Sequence, residues 1–166
     1  MLEFDIKLSQ KDLYSFNLYQ NYRSFNGWLA IILGILSFVM AVMQGNEKGI
    51  VYSLPYVGAG IIFIIYIPVS LWNRVKLTLK TNESLSQVLH YEISEECIKV
   101  SQGTESAELP WEYVYKMVAD SKKVLIYSGR KNAYIIPRNQ LGDKYEQLCD
   151  VASKKLEKYR LKLAKS

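Results

Sequence analysis

The residues able to do chemistry are few and scattered. His90 is the only histidine in the chain, so any Ser-His-Asp or Cys-His arrangement would have to be built around it. It falls in an alternating run, where a solvated or core histidine is the expected reading. Cys97 and Cys149 lie far apart without CxxC or CxxxC spacing, which suggests neither a zinc site nor a redox pair. Glu95 and Glu96 form an acid pair only in sequence, because adjacent residues at a strand turn face apart. No glycine run resembles a phosphate-binding loop: Gly103 and Gly129 are single turn glycines, and Gly58 and Gly60 sit in an apolar stretch. These signals predict no catalytic centre, no metal and no cofactor.

Two other groups could bind rather than react. Trp111, Tyr113 and Tyr115 alternate, as rings on one face of a strand would, either lining the core or forming an aromatic groove. Glu108 and Glu112 are interleaved with them where a nucleic-acid site would need cations, so no nucleic-acid partner is expected. Near the C-terminus Lys154, Lys155, Lys158, Lys162 and Lys165 crowd together, opposed by Glu157. They read as a solvated face, a surface held against anionic lipid headgroups, or a protein partner site.

The elements that must position these groups fall into two textures. From Trp28 to Met43 no residue is charged, and from Ile50 to Trp72 another 23 are uncharged. At about 1.5 Å per residue these make helices of roughly 24 and 34 Å, enough to span a bilayer core when the first is extended by a few residues. Central helices of a soluble protein are the alternative, but a domain this small could hardly wrap them. Residues 44–49, Gln-Gly-Asn-Glu-Lys-Gly, read as a polar turn between antiparallel spans. Trp28 and Trp72 at one end, and Tyr52 and Tyr56 at the other, suit rings anchored at headgroup level.

Ala30, Gly34, Ser37 and Ala41 share one face of the first helix, and Gly58 and Gly60 offer close backbone approach on the second. Such a stripe predicts helix packing, although small residues abound in membrane helices generally. Neither span carries an ionisable side chain, so a channel or transporter is not expected. Arg23, Arg74, Lys76 and Lys80 flank the terminal side against Lys48 alone in the turn, which predicts a two-pass protein of the cell membrane with both termini cytoplasmic. A mixed stretch of 27 residues with three acids precedes the first span, unlike a signal peptide, so that span is expected to stay as an anchor.

The net charge of +5 belongs wholly to residues 73–166, where 17 basic residues face 12 acidic ones. That stretch reads as a soluble domain of short antiparallel strands: Val88 to Ile93, Ile98 to Val100, Leu109 to Val118, Val124 to Tyr127 and Tyr134 to Pro137. Leu141, Tyr145, Leu148, Ala152, Leu156, Tyr159 and Leu163 then recur every three or four residues, predicting one long amphipathic helix capped by Asp143 with Glu146. The fold class expected is α+β: a two-helix transmembrane hairpin, then a small antiparallel β-barrel or curved sheet closed by that helix. Three parts follow: residues 1–27 as a cytoplasmic strand and helix, 28–72 as the hairpin, and 73–166 as the soluble domain.

Two spans followed by strands, the run Leu109-Pro110-Trp111-Glu112-Tyr113-Val114-Tyr115-Lys116, a hairpin, and Ala133-Tyr134-Ile135-Ile136-Pro137-Arg138 together resemble the YcxB-like family of bacterial membrane proteins. Phe4-Asp5-Ile6-Lys7-Leu8 extends the similarity and suggests a further strand. The resemblance implies a C-terminal region like a pleckstrin-homology barrel, and no active residues to carry over. The expected function is therefore a membrane-anchored, non-enzymatic binding or regulatory module acting through protein contact. Alternatives are self-protection against a toxin through the hairpin, and binding to an anionic lipid surface. Expected partners are the bilayer and a protein, with anionic headgroups and a second copy of the chain as further ones.

Overall fold

The computed structural model describes residues 1–82 and 87–163. Two compact units result, one of residues 1–13 with 79–166 and one of residues 14–78.

The second unit holds the hairpin. Helix α1 (Gln10–Tyr22) begins in the first unit, where Ser9 and Asp12 cap it reciprocally: Asp12 N–H donates to Ser9 Oγ at 3.3 Å, and Ser9 N–H to Asp12 Oδ2 at 3.0 Å. Helices α2 (Phe25–Lys48) and α3 (Ile50–Thr81) are each long and apolar enough to cross a membrane. Ser24 caps α2, its hydroxyl accepting from Gly27 N–H. The expected turn over residues 44–49 is corrected. Helix α2 continues through Lys48, and Gly49 alone, at φ +95°, separates the helices. Only glycine adopts that angle without strain, so one residue does the work assigned to six. Both spans end later than their uncharged cores, and α2 also starts earlier, because helical hydrogen bonding does not stop where charge begins.

In the first unit, β1 (Leu2–Lys7), β2 (Val88–Ile93), β3 (Cys97–Gln102) and β4 (Glu105–Pro110) form an antiparallel sheet in that order. The N-terminal strand thus joins the C-terminal domain. Alternation sets its register: Leu2, Phe4 and Ile6 are buried, and Phe4 stacks on its partner Tyr91 at 5.3 Å between ring centroids. A second sheet, in the order β7-β6-β5-β8, contains β5 (Lys116–Ala119), β6 (Lys123–Tyr127), β7 (Ala133–Pro137) and β8 (Leu161–Lys162). All five residues of β6 are buried, as the middle of a covered sheet requires.

Helix α4 (Arg138–Leu141) and helix α5 (Lys144–Lys155) complete the unit, with Tyr145, Leu148 and Ala152 of α5 entering the core shared by both sheets. The architecture is mixed α+β, and the two sheets do not close into a barrel.

Two expectations about this unit fail. Residues 109–118 are not one strand: β4 ends at Pro110, Trp111–Tyr113 form a 3-10 turn, and pairing resumes at Lys116. The turn rotates successive side chains out of strict alternation. Trp111 and Met117 are buried, whereas Tyr113 and Tyr115 are exposed, so the four do not share a face. Trp111 is held by its indole N–H, which donates to Ser94 O at 3.0 Å. The C-terminal helix is also shorter than its periodicity. Leu156 is extended (φ −110°, ψ 139°), a 3-10 turn follows at Lys158–Arg160, and β8 then pairs in parallel with β5. Completing the edge of β5 outcompetes further helix, and Asp143, itself helical, makes no side-chain cap.

Candidate interaction surface

His90 lies on the outward face of the first sheet, directly across from Asp5. Its Nδ1 is 2.6 Å from Asp5 Oδ1, and its Nε2 is 3.9 Å from Glu92. The hydrogen bond to Asp5 raises its pKa above the ordinary histidine value, with smaller contributions from the nearby Asp5 and Glu92 charges. The His90 side chain is 42% exposed. Cys149 is half-buried on α5, where desolvation pushes its thiol up and makes it a weak nucleophile. Burial likewise raises Tyr91 and Tyr145. Glu95 and Glu96 are exposed, with Glu95 3.6 Å from Lys155. Among the described residues, no group of three His, Cys, Asp or Glu side chains could hold a metal ion.

A different set of residues converges at the C-terminal end. The 3-10 turn at Lys158–Arg160 runs beside the chain linking β4 to β5, and Arg160 joins the two segments. Its Nη2 donates to Glu112 O at 3.2 Å and to Val114 O, and its Nε donates to Tyr115 O at 3.3 Å. The rigid guanidinium fork satisfies three carbonyls that a strand partner would otherwise take. Around this clamp stand Tyr113, Tyr115 and Tyr159, which are 66%, 47% and 77% exposed. Lys116 lies over the rings of Tyr127 (4.5 Å) and Tyr115 (5.7 Å). Outside α2 and α3, the other large apolar side chains exposed among the described residues are only Met1 and Val88. Exposed rings gathered on two clamped segments are an informative exception in a unit that otherwise buries its apolar groups.

The basic residues read from the sequence divide between elements. Lys154 and Lys155 occupy the last turn of α5, Lys158 lies in the 3-10 turn and Lys162 in β8, all exposed or nearly so. They do not share one helical face. Lys158 and Lys162 instead flank Tyr159 and Arg160; Lys165 lies outside the described residues. Sequence reasoning missed the Arg160 clamp and absorbed Tyr159 into a helical stripe. The alternation Tyr159, Leu161, Leu163 was the available sign of extended chain.

In the hairpin, Gly34 and Ala41 are buried against α3, with Ala30 and Ser37 half-buried. A side chain on Gly34 would come within 2.9 Å of Ile64, and one on Gly60 within 2.9 Å of Phe38. These glycines allow the close approach. Gly58 differs, having nothing within 4 Å of the position a Cβ would take. Trp28, Tyr52 and Trp72 are exposed and Tyr56 is half-buried, Trp72 meeting Tyr14 edge-on at 5.1 Å. Ser37 satisfies its hydroxyl on its own helix, donating to Leu33 O at 2.8 Å.

A family model described as YcxB-like protein matches residues 93–148, from the end of β2 to the middle of α5. The matched region holds both of the motifs around Trp111 and Tyr134 that carried the resemblance. No curated protein and no solved structure matches the chain.

Proposed function

We propose that the chain is a membrane-anchored, non-enzymatic binding or regulatory module whose β-rich, pleckstrin-homology-like unit meets a protein partner at the cytoplasmic face of the cell membrane. The observation that carries the reading is the cluster of Tyr113, Tyr115 and Tyr159 around Arg160. Tyrosine and arginine are the residues enriched where protein surfaces meet, since each offers broad contact area with a polar tip. The clamp holds these segments in place before binding, which lowers the ordering cost of association. Cytoplasmic placement is supported by Arg23, Arg74, Lys76 and Lys80 flanking the apolar segments on the terminal side.

A photo-crosslinking residue in place of Tyr113 or Tyr159, introduced in the full chain in living cells, tests this reading. Discrete, reproducible adducts are expected from both positions and not from Asn139, which is exposed on α4. Absence of adducts, or the same pattern from Asn139, would contradict it.

An anionic lipid surface is favoured as a second reading by Lys158 and Lys162 beside Tyr159, a pairing suited to the headgroup layer. In nanodiscs, amide exchange over Lys158–Lys162 should then slow when anionic lipid is included and recover as salt is raised. Equal exchange with and without anionic lipid would remove this reading and leave the protein partner.

A further inference from the structure

The first sheet has two outer edges, and the chain treats them differently. At β1 three of the outward groups, near its two ends, are occupied. Lys7 N–H donates to Gln140 Oε1 at 2.9 Å, Gln140 Nε2 donates back to Lys7 O at 3.0 Å, and Lys144 Nζ donates to Glu3 O at 2.7 Å. Side chains of α4 and α5 thus stand at both ends of that edge, where another strand would have to displace them.

At β4 the pattern of bonding can be read from the turn. Gln102 and Glu105 flank the two residues Gly103 and Thr104, so they form the bonded pair nearest the turn, and bonded pairs alternate from there. Ala107 and Leu109 therefore point their backbone groups inward to β3, a phase that Trp111 N–H continues by donating to Glu96 O at 3.4 Å. Ser106 and Glu108 point theirs outward, as does the carbonyl of Pro110, whose missing N–H is tolerated only on such an edge. No described residue takes these outward groups. Among the described residues β4 is an open edge, while the opposite edge is blocked at both ends.

Side chains say what would fit it. On the outward face the cross-strand rows are Glu3, Glu92, Lys99, Glu108 and Asp5, His90, Ser101, Ser106. Lys99, directly across from Glu108, turns its ammonium to Glu92 at 3.4 Å, and His90 is engaged with Asp5, so the exposed Glu108 ends a row of three carboxylates and one lysine without an ion pair among the described residues. A residue of an added strand beside Glu108 would face that carboxylate. On the opposite face the exposed Ala107 borders buried Leu109 and Val100, so neighbouring side chains of the added strand would extend an apolar layer. A second copy of β4 fits poorly. Antiparallel self-pairing centred on Ala107 or Glu108 sets Glu108 diagonal or opposite to its own copy, and like charges there are destabilising.

We propose that the open edge of β4 takes an extended segment of a partner protein, with alternating apolar and cationic side chains, as a fifth strand of the first sheet. Backbone bonds to Ser106 and Glu108 would hold it, and Glu108 would select the cation. The inference rests on reading the chain as a protein-binding module. Failure of that reading appears as missing adducts at Tyr113 and Tyr159, whereas failure of the edge appears in a separate peptide assay.

In that assay the full chain in non-ionic detergent micelles is titrated with an alternating valine–lysine hexapeptide, with empty micelles as the blank. Binding is expected to slow amide exchange at Ser106 and Glu108, to weaken about tenfold or more in Glu108→Lys, and to vanish when one of the two alternate sets of peptide amides is N-methylated. A valine–glutamate peptide should not bind. No binding of the lysine peptide, binding that survives N-methylation of each set in turn, or unchanged exchange at Ser106 and Glu108 would each overturn the proposal.

Discussion

Ile32, Leu36, Ile62 and Ile65 stand exposed along α2 and α3, whereas Ile6, Ile98, Ile126 and Ile136 in the β-rich unit are completely buried. The same side-chain chemistry is placed outward in one region and inward in the other. Water makes the inward arrangement favourable by about 1.5–3 kcal/mol for a large aliphatic side chain. No comparable force acts between helices in lipid, whose tails are as apolar as leucine. The hairpin is accordingly joined by close approach at Gly34 and Gly60, and the β-rich unit by a packed core. Seen against that contrast, Tyr113, Tyr115 and Tyr159 follow the rule of neither region, and so the proposed surface is placed on them.

The largest expected effect tests the contrast directly. Leu148→Ala opens a cavity where α5 meets the core and should destabilise the β-rich unit by about 2–5 kcal/mol, measured by denaturant unfolding of the full chain in nanodiscs with amide exchange of β6 as the readout. Ile62→Ala truncates an exposed side chain of α3, which in nanodiscs should leave hairpin association nearly unchanged. Equal losses would mean that α3 is packed by protein and would break the comparison.

A smaller loss is expected from Arg160→Ala, which strips three carbonyls of a charged donor; about 1–3 kcal/mol is the expected scale. Arg160→Lys should not restore it, because a single ammonium cannot reproduce the fork. Full rescue by lysine would reduce the clamp to a charge effect.

His90 sharpens the comparison through pH. Its folded pKa is raised, so its contribution to stability is fully present below the unfolded value near 6.5 and is lost as pH rises through the folded value. Its imidazole titration followed by NMR should have a midpoint above 6.5, and Asp5→Asn should lower it. A midpoint that Asp5→Asn does not move would remove the cross-strand pair as the cause.

The smallest effect is expected from Tyr159→Ser. This ring is exposed, so unfolding should shift by no more than about 0.5 kcal/mol while adducts from a crosslinker at Tyr113 are lost. A large loss of stability would return Tyr159 to the core stripe read from its spacing.

Much of the fold was legible where local pattern and final structure agree. Two uncharged runs marked α2 and α3, and the alternation at Leu89, Tyr91 and Ile93 marked β2, because burial on one face leaves a period of two, while β1 was suggested only by the resemblance over Phe4 to Leu8. What was illegible depended on distant partners. Leu156, Tyr159 and Leu163 keep a helical spacing, yet β8 forms because β5, far away in the sequence, has an edge to complete. The residues from Trp111 to Met117 alternate, but Pro110 and the 3-10 turn after it put Tyr113 and Tyr115 outside. Gln44 to Lys48 looked like a turn because most are polar; they are the end of a helix, exposed from Asn46 on. The binding surface shared this fate. Its tyrosines and lysines were noticed separately, and only the Arg160 clamp brings their segments together.

The proposal that the hairpin anchors a cytoplasmic β-rich unit is tested most directly by cysteine accessibility in intact cells. In a chain with Cys97 and Cys149 replaced by serine, a membrane-impermeant thiol reagent added outside should label Asn46→Cys, at the end of α2, and should label Glu105→Cys, at the start of β4, only after the cells are opened. Labelling of Glu105→Cys in intact cells with Asn46→Cys protected would contradict the account.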